Sequence, residues 1–227
     1  MSKDIVSASE LLKQQIKDMA GRVESSGDGL PIIRVTQDKH FLMPPDEEKI
    51  PGPIKVVVYD FINQNQFFKS NFVKGQENIP DCWAQAYRIG DLAPDPELVE
   101  DPVNPDCASC LMQEWGSGPN GGRACQNRRK VALRLAHDPN SPVLMISASK
   151  TAVPFFDRLV SDLAKRQIPL CQVVMELGFN PKKDFPSILF NPVEENEHFE
   201  ADAERLSQAR KMIEQTPPKP DRDEKKG

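Results

Sequence analysis

Residues 78–127 hold four of the chain's five cysteines and almost no hydrophobic periodicity. A segment without a hydrophobic run would gain much of its order from a metal held by the cysteines. The pattern is C-x24-C-x2-C-x14-C over Cys82, Cys107, Cys110 and Cys125, with CASC as its tightest element. Two cysteines separated by two residues point both sulfurs the same way, and tetrahedral Zn2+ takes four thiolates. The spacing predicts a structural zinc site on Cys82, Cys107, Cys110 and Cys125, with His137 as a substitute for Cys82 or Cys125. An iron–sulfur cluster is compatible with the same four thiolates, and free thiols are the third option. Disulfides are disfavoured because MSKDIVSASELLKQQ lacks the apolar stretch of a signal peptide. A redox Cys-x-x-Cys opens a helix after a strand, which the Pro-Asp-Cys context does not match. Cys171 falls in an apolar run and reads as a small buried hydrophobe.

Around this segment the chain divides into three parts. Residues 1–30 form an N-terminal arm whose 4–24 stretch is an amphipathic helix, with Ile5, Ala8, Leu12, Ile16, Met19 and Val23 on one face. Residues 31–193 carry the main domain. Its β signals are PIIRVT (31–36), IKVVVYDF (54–61) paired through INQNQ with FFKSNFV (67–73), RKVALRLA, VLMIS (143–147), LCQVVMEL (170–177) and FPSILF (185–190). HDPNSP turns RKVALRLA back into VLMIS, and a helix over about 151–166 follows. That helix buries Phe155, Phe156, Leu159, Val160 and Leu163, tolerates Pro154 in its first turn, and can be capped by Ser149 or Thr151. Residues 194–227 are a helix (about 197–215) and a charged, Pro-rich tail. The fold class is mostly β with flanking helices (α+β). Strands, a helix and two closing strands match the order of an OB-like barrel, with 78–127 as an inserted zinc-binding subdomain. No apolar run is long enough to span a membrane, which predicts a cytoplasmic chain.

The net charge of −5 conceals an asymmetry. Residues 123–193 carry 11 Lys and Arg against 5 Asp and Glu, while both flanks are acidic. Between Glu114 and Asp138 there is no acid, and Arg123, Arg128, Arg129, Lys130 and Arg134 accumulate. Lys130 and Arg134 alternate with Val131 and Leu133, so they would line one exposed side of a sheet. Such a groove tracks a phosphate backbone, and exposed aromatics stack bases. Tyr87 and Trp115, in polar stretches, are the stacking candidates, and Lys150 in SASKT adds a phosphate contact. WGSGPNGG could form a phosphate nest or a tight turn in a metal knuckle, and it has no Walker lysine.

PDCWA, CASC, WGSGPNGGRACQNRRKVAL and PVLMISASKTAVPFFDRLVSDLA resemble a set of bacteriophage and prophage single-stranded DNA-binding proteins. These combine a cysteine-rich insertion with a barrel-like β domain. The architecture is similar, more distantly, to the helix-destabilising single-strand binding protein of T-even phages, an OB-fold with an inserted zinc subdomain. The resemblance covers about residues 54–192. It implies sequence-tolerant single-stranded DNA binding in phage replication or recombination, in the host cytoplasm. Replication or recombination proteins would be met through the terminal segments. The terminus DRDEKKG departs from the acidic tail usual in such proteins.

Catalysis needs paired carboxylates or a His–carboxylate group at a metal with an open position. Asp38 with His40, and His198 with Glu200, sit in polar stretches, and four cysteines would saturate zinc. The expectation is a non-enzymatic binder of single-stranded DNA. The runners-up are a zinc-stabilised protein-interaction module of a replication or recombination complex, and an iron–sulfur protein.

Overall fold

The computed structural model describes residues 31–69 and 80–215. The predicted arm over 1–30 with its helix, residues 70–73 of FFKSNFV and the tail from 216 lie outside the described residues. The strands are β1 Ile32–Val35, β2 His40–Met43, β3 Glu48–Pro51, β4 Ile54–Phe67, β5 Cys82–Ala86, β6 Gln126–Leu135, β7 Leu144–Ala148, β8 Val173–Phe179 and β9 Ile188–Glu195. Two helices are described, α1 Val153–Lys165 and α2 Phe199–Glu214. Among the described residues the strands form one sheet, β3-β2-β1-β7-β6-β4-β8-β9, with β5 a further partner of β4. Every pairing is antiparallel except β1 with β7.

This sheet is curled. Four strands separate β2 from β8 in sheet order, which in a flat sheet would put them about 24 Å apart. Phe41 of β2 nevertheless stacks on Phe179 of β8, with ring centroids 4.7 Å apart. The result is an open half-barrel whose edges are β3 and β9. Its inner face packs Val56, Val58, Val131, Leu133, Met175 and Leu177 against Phe156 and Leu163 of α1. The outer face packs Val57, Tyr59, Ile62, Ala132 and Val174 against Ala209 and Ile213 of α2. Because both faces are covered, Val56, Val57, Val58 and Tyr59 are all 3% exposed or less. That is why IKVVVY reads as a continuous apolar run and not as an alternation. The mostly β, α+β class stands. No helix among the described residues is long and apolar enough to cross a membrane.

Local expectations fare unevenly. RKVALRLA, HDPNSP and VLMIS form the antiparallel pair β6–β7, and α1 lies within the predicted range with Pro154 in its first turn. Its N-terminus has no side-chain cap; the Ser149 carbonyl instead accepts the N–H groups of Ala152 and Val153. Phe155, expected in the core, is 46% exposed, whereas Phe156 is buried. Successive helix residues point about 100° apart, so only one of two adjacent phenylalanines faces the sheet. INQNQ is not a connection between two strands. It is the continuation of β4, and Asn63, Gln64 and Asn65 are buried within the sheet. The C-terminal helix, set apart in the sequence reading, belongs to the same compact unit as the sheet.

Candidate functional site

The far end of β4 gathers the cysteines. β5 and β6 flank it on either side, with Cys82 opposite Phe67 and Gln126 opposite Gln66. Cys82 opens β5 and Cys125 immediately precedes β6, so one strand end holds both outlying cysteines. The intervening loop is tied down by the Cys107 N–H to Leu92 O (3.2 Å) and the Cys125 N–H to Met112 O (2.9 Å). All four cysteines consequently line one cavity of about 10 Å³, together with Asn65, Phe67, Asp106 and Gln113. None of Cys82, Cys107, Cys110 and Cys125 is in a disulfide. Among the described residues no three His, Cys, Asp or Glu side chains stand in a preformed ligating arrangement. His137 does not line it.

The donor chemistry fits a thiolate-loving cation. Burial pushes the thiols of Cys82 and Cys107 up, and that of Cys125 up to about 12, with the neighbouring cysteines adding to the effect. Against burial, the Val103 N–H donates to Cys82, the Asn65 side chain to Cys107 and the Gln66 N–H to Cys125. Donors aimed at three sulfurs favour thiolates, which the cavity itself cannot stabilise without a positive charge. Asn65 Oδ1 and Gln113 Nε2 also face this region buried and without partners. Sequence reasoning missed both. The signal for Asn65 was the amide run NQNQ, unusual in a strand unless the amides serve a polar interior; Gln113 lies in the loop and left no such signal.

The basic residues meet different fates, and the two that alternation placed on an exposed face, Lys130 and Arg134, are buried. Arg134, expected on an exposed face, is fully buried. Its Nε and Nη2 grip the two oxygens of Asp202 at 2.7 and 2.6 Å. The remaining N–H groups go to Leu135 O, Ala136 O and Asn196 Oδ1, so no donor is left for a phosphate. Tyr59 and Asn196 complete the shell by donating to Asp202. Arg129 is 4% exposed and forms a bidentate pair with Asp157 of α1 at 2.9 and 2.7 Å. Lys130 is 8% exposed, and its Nζ donates to Ile213 O and Gln215 O at the end of α2. The error has one cause. Alternation identifies which residues share a face, but α1 and α2 cover both faces, so Arg129 and Arg134 are paired with carboxylates and Lys130 with backbone carbonyls inside the fold. Arg123 and Lys150 are exposed and Arg128 is half-buried.

Lys130 carries a measurable consequence. Burial lowers its pKa from 10.5 to about 8. The folded protein therefore releases this proton before the unfolded chain does, and stability rises with pH between about 8 and 10.5. The stability difference between wild type and Lys130→Met, from urea titrations at pH 7, 8.5 and 10, should shift in favour of wild type as pH climbs. A difference independent of pH would show that the ammonium is not desolvated.

The aromatic candidates split in the same way. Tyr87 is 42% exposed, but its hydroxyl donates to Glu214 Oε1 at 2.9 Å, which fastens β5 to the end of α2. Trp115 is 77% exposed and lies 5.5 Å under the Arg123 guanidinium. The loop that presents it is a closed turn. The Gly116 and Gly118 N–H groups both donate to Gly122 O, at 3.2 and 2.8 Å. A Cβ at Gly118 would come within 2.9 Å of the backbone at Arg123 and Ala124, and Gly121 has φ +73. The glycines thus serve a compact knuckle and not a phosphate nest. Searched against protein-family models, curated proteins and solved structures, the chain finds no match in any of the three.

Proposed function

We propose that this protein binds single-stranded DNA with little sequence preference, in phage-type replication or recombination. In this reading it is an OB-like half-barrel carrying a zinc-stabilised knuckle, and it is not an enzyme. The observation that carries the reading is the Trp115–Arg123 pair. An indole 77% exposed beneath a guanidinium is costly to display in water, and it is the platform on which an unpaired base stacks. The resemblance of residues 54–192 to phage single-strand binding proteins points the same way. Cys82, Cys107, Cys110 and Cys125 would hold Zn2+, which supplies a four-way cross-link between β5, the loop and β6 and no open coordination position.

The test is an oligo-dT titration across a salt series, read by intrinsic fluorescence. The chain has two tryptophans, and Trp83 is only 3% exposed, so quenching reports on Trp115. Trp115→Ala should abolish the quench and weaken binding by about 5- to 150-fold, the equivalent of about 1–3 kcal/mol. Binding should fall steeply with salt. If an oligonucleotide of about 30 bases is not retarded by about 10 μM protein at low salt, the reading fails. The protein-interaction reading then takes its place, because Leu111, 65% exposed on the same knuckle, is not a stacking residue.

A further inference from the structure

We propose that Arg128 is the seat of an anion-binding site that takes one phosphate group of the ligand. The identity of that phosphate as a phosphodiester rests on the single-strand reading above; the seat itself rests on what surrounds the guanidinium. Arg128 shares its face of β6 with Gln126 and Lys130, two residues to either side. Lys130 meets the end of α2, so Arg128 lies just beyond the helix that covers this face.

There the guanidinium is half-buried and poorly satisfied. Nη2 donates to Gln126 Oε1 at 2.8 Å, while Nε is enclosed by protein and has no partner. Among the described residues no carboxylate pairs with it. The contrast with its neighbours is direct: Arg129 holds Asp157 and Arg134 holds Asp202, each through two hydrogen bonds. Across the ladder Arg128 faces Gln64, which bonds to Gln85. Gln85 in turn donates to Glu214 O, and the Glu214 carboxylate accepts from the Tyr87 hydroxyl.

A guanidinium does not shed its charge, so taking it out of water without a counter-ion destabilises the fold. Burial is the one influence resolved on Arg128, and it acts against the charged form. An oxyanion beside the half-buried guanidinium supplies the missing charge and can accept from its Nη groups, while the enclosed Nε gains from the nearby negative charge without contacting it. Of the five cations expected between Glu114 and Asp138, Arg123 is engaged with Trp115 and three are satisfied internally. Arg128 is the one held partly dehydrated with no counter-ion among the described residues.

The full-length chain and Arg128→Met test this in two measurements. The first compares melting temperatures in sodium phosphate and in sodium chloride at equal ionic strength. Phosphate should raise the wild-type value by a few degrees and leave the variant unmoved. In chloride the variant should be at least as stable as wild type, because it no longer buries an uncompensated charge. The second is the oligo-dT salt slope, whose magnitude should fall by about 0.7 in the variant if one phosphate contact is lost. Phosphate stabilisation that disappears in the variant, with no oligo-dT binding by either protein, supports the anion seat while the single-strand reading fails. The same loss with an unchanged slope assigns the seat to free phosphate and overturns the phosphodiester. Equal slopes and equal phosphate effects overturn the seat and leave the single-strand reading standing. A variant less stable than wild type in chloride makes Arg128 a structural residue and overturns it as well.

Discussion

Asp202→Ala should destabilise the protein by about 3–5 kcal/mol, the cost of stranding one member of a buried ion pair. Asp202 is 1% exposed and accepts from Arg134 twice, from Tyr59 and from Asn196. Removing its carboxylate leaves a fully buried guanidinium without its counter-charge and two further donors without an acceptor. It also detaches α2, whose Ala209 and Ile213 close the outer face of the sheet. Urea unfolding followed by circular dichroism measures the loss. The double variant Asp202→Leu with Arg134→Met is the control, since replacing both charges by apolar groups of similar size is often neutral. It should recover most of the stability and leave oligo-dT affinity unchanged, because Arg134 has no donor free for phosphate. A single variant within about 1 kcal/mol of wild type would show that the pair contributes little.

The same carboxylate sets an acid limit. Burial would raise its pKa, but the Arg134, Asn196 and Tyr59 donors outweigh burial and hold it below 3.8. A carboxylate depressed on folding contributes stability that is complete above its unfolded pKa and is lost as pH falls through the folded value. Asp202→Asn should therefore flatten the acid limb of the stability profile below about pH 4.

Stripping the proposed zinc from the cysteine cavity should unfold the knuckle and leave the half-barrel folded. The insertion has one small apolar cluster of its own, Trp83, Leu98 and Val99. Three buried side chains contribute about 1.5–3 kcal/mol each, whereas structural Zn2+ contributes about 10–16 kcal/mol in small zinc domains. The main clusters on α1 and α2 include none of the four cavity cysteines. Purified protein should carry one zinc per chain. A chelator, or Cys107→Ser with Cys110→Ser, should release it, shift Trp83 emission to the red and raise amide exchange across residues 80–125. The β6–β7 amides should stay protected, and oligo-dT quenching should vanish because Trp115 loses its platform. Absorbance near 400 nm in place of zinc would replace the ion with an iron–sulfur cluster. Metal-free protein with full knuckle protection would overturn the site.

Much of the scaffold was legible along the chain. Alternation in RKVALRLA and VLMIS, with HDPNSP between them, located β6 and β7. The helices were readable from their apolar spacing. The amide run of β4 was not, because Asn and Gln are poor strand formers in general and stay in the strand here by cross-strand amide bonding, Gln64 to Gln85 and Asn63 to the carbonyls of Ala86 and Tyr87. β5 was missed for a related reason: its five residues, CWAQA, are too few for a period to show and owe their extended form to pairing with β4.

The cysteine spacing by itself indicated that Cys82, Cys107, Cys110 and Cys125 belong together, since an unperiodic segment with few apolar residues has little else to order it; the Trp83, Leu98 and Val99 cluster appeared only in the structure. The charge pattern, equally visible, was misread. A charge run in sequence specifies residue types and, through alternation, which of them share a face. Whether that face meets solvent depends on what packs over it, and here α2 arrives from some 65 residues downstream to place Asp202 against Arg134. Tertiary packing alone decided that Arg129, Lys130 and Arg134 hold the fold together while Arg128, two residues along β6 from the lysine that meets the helix end, has no carboxylate partner among the described residues.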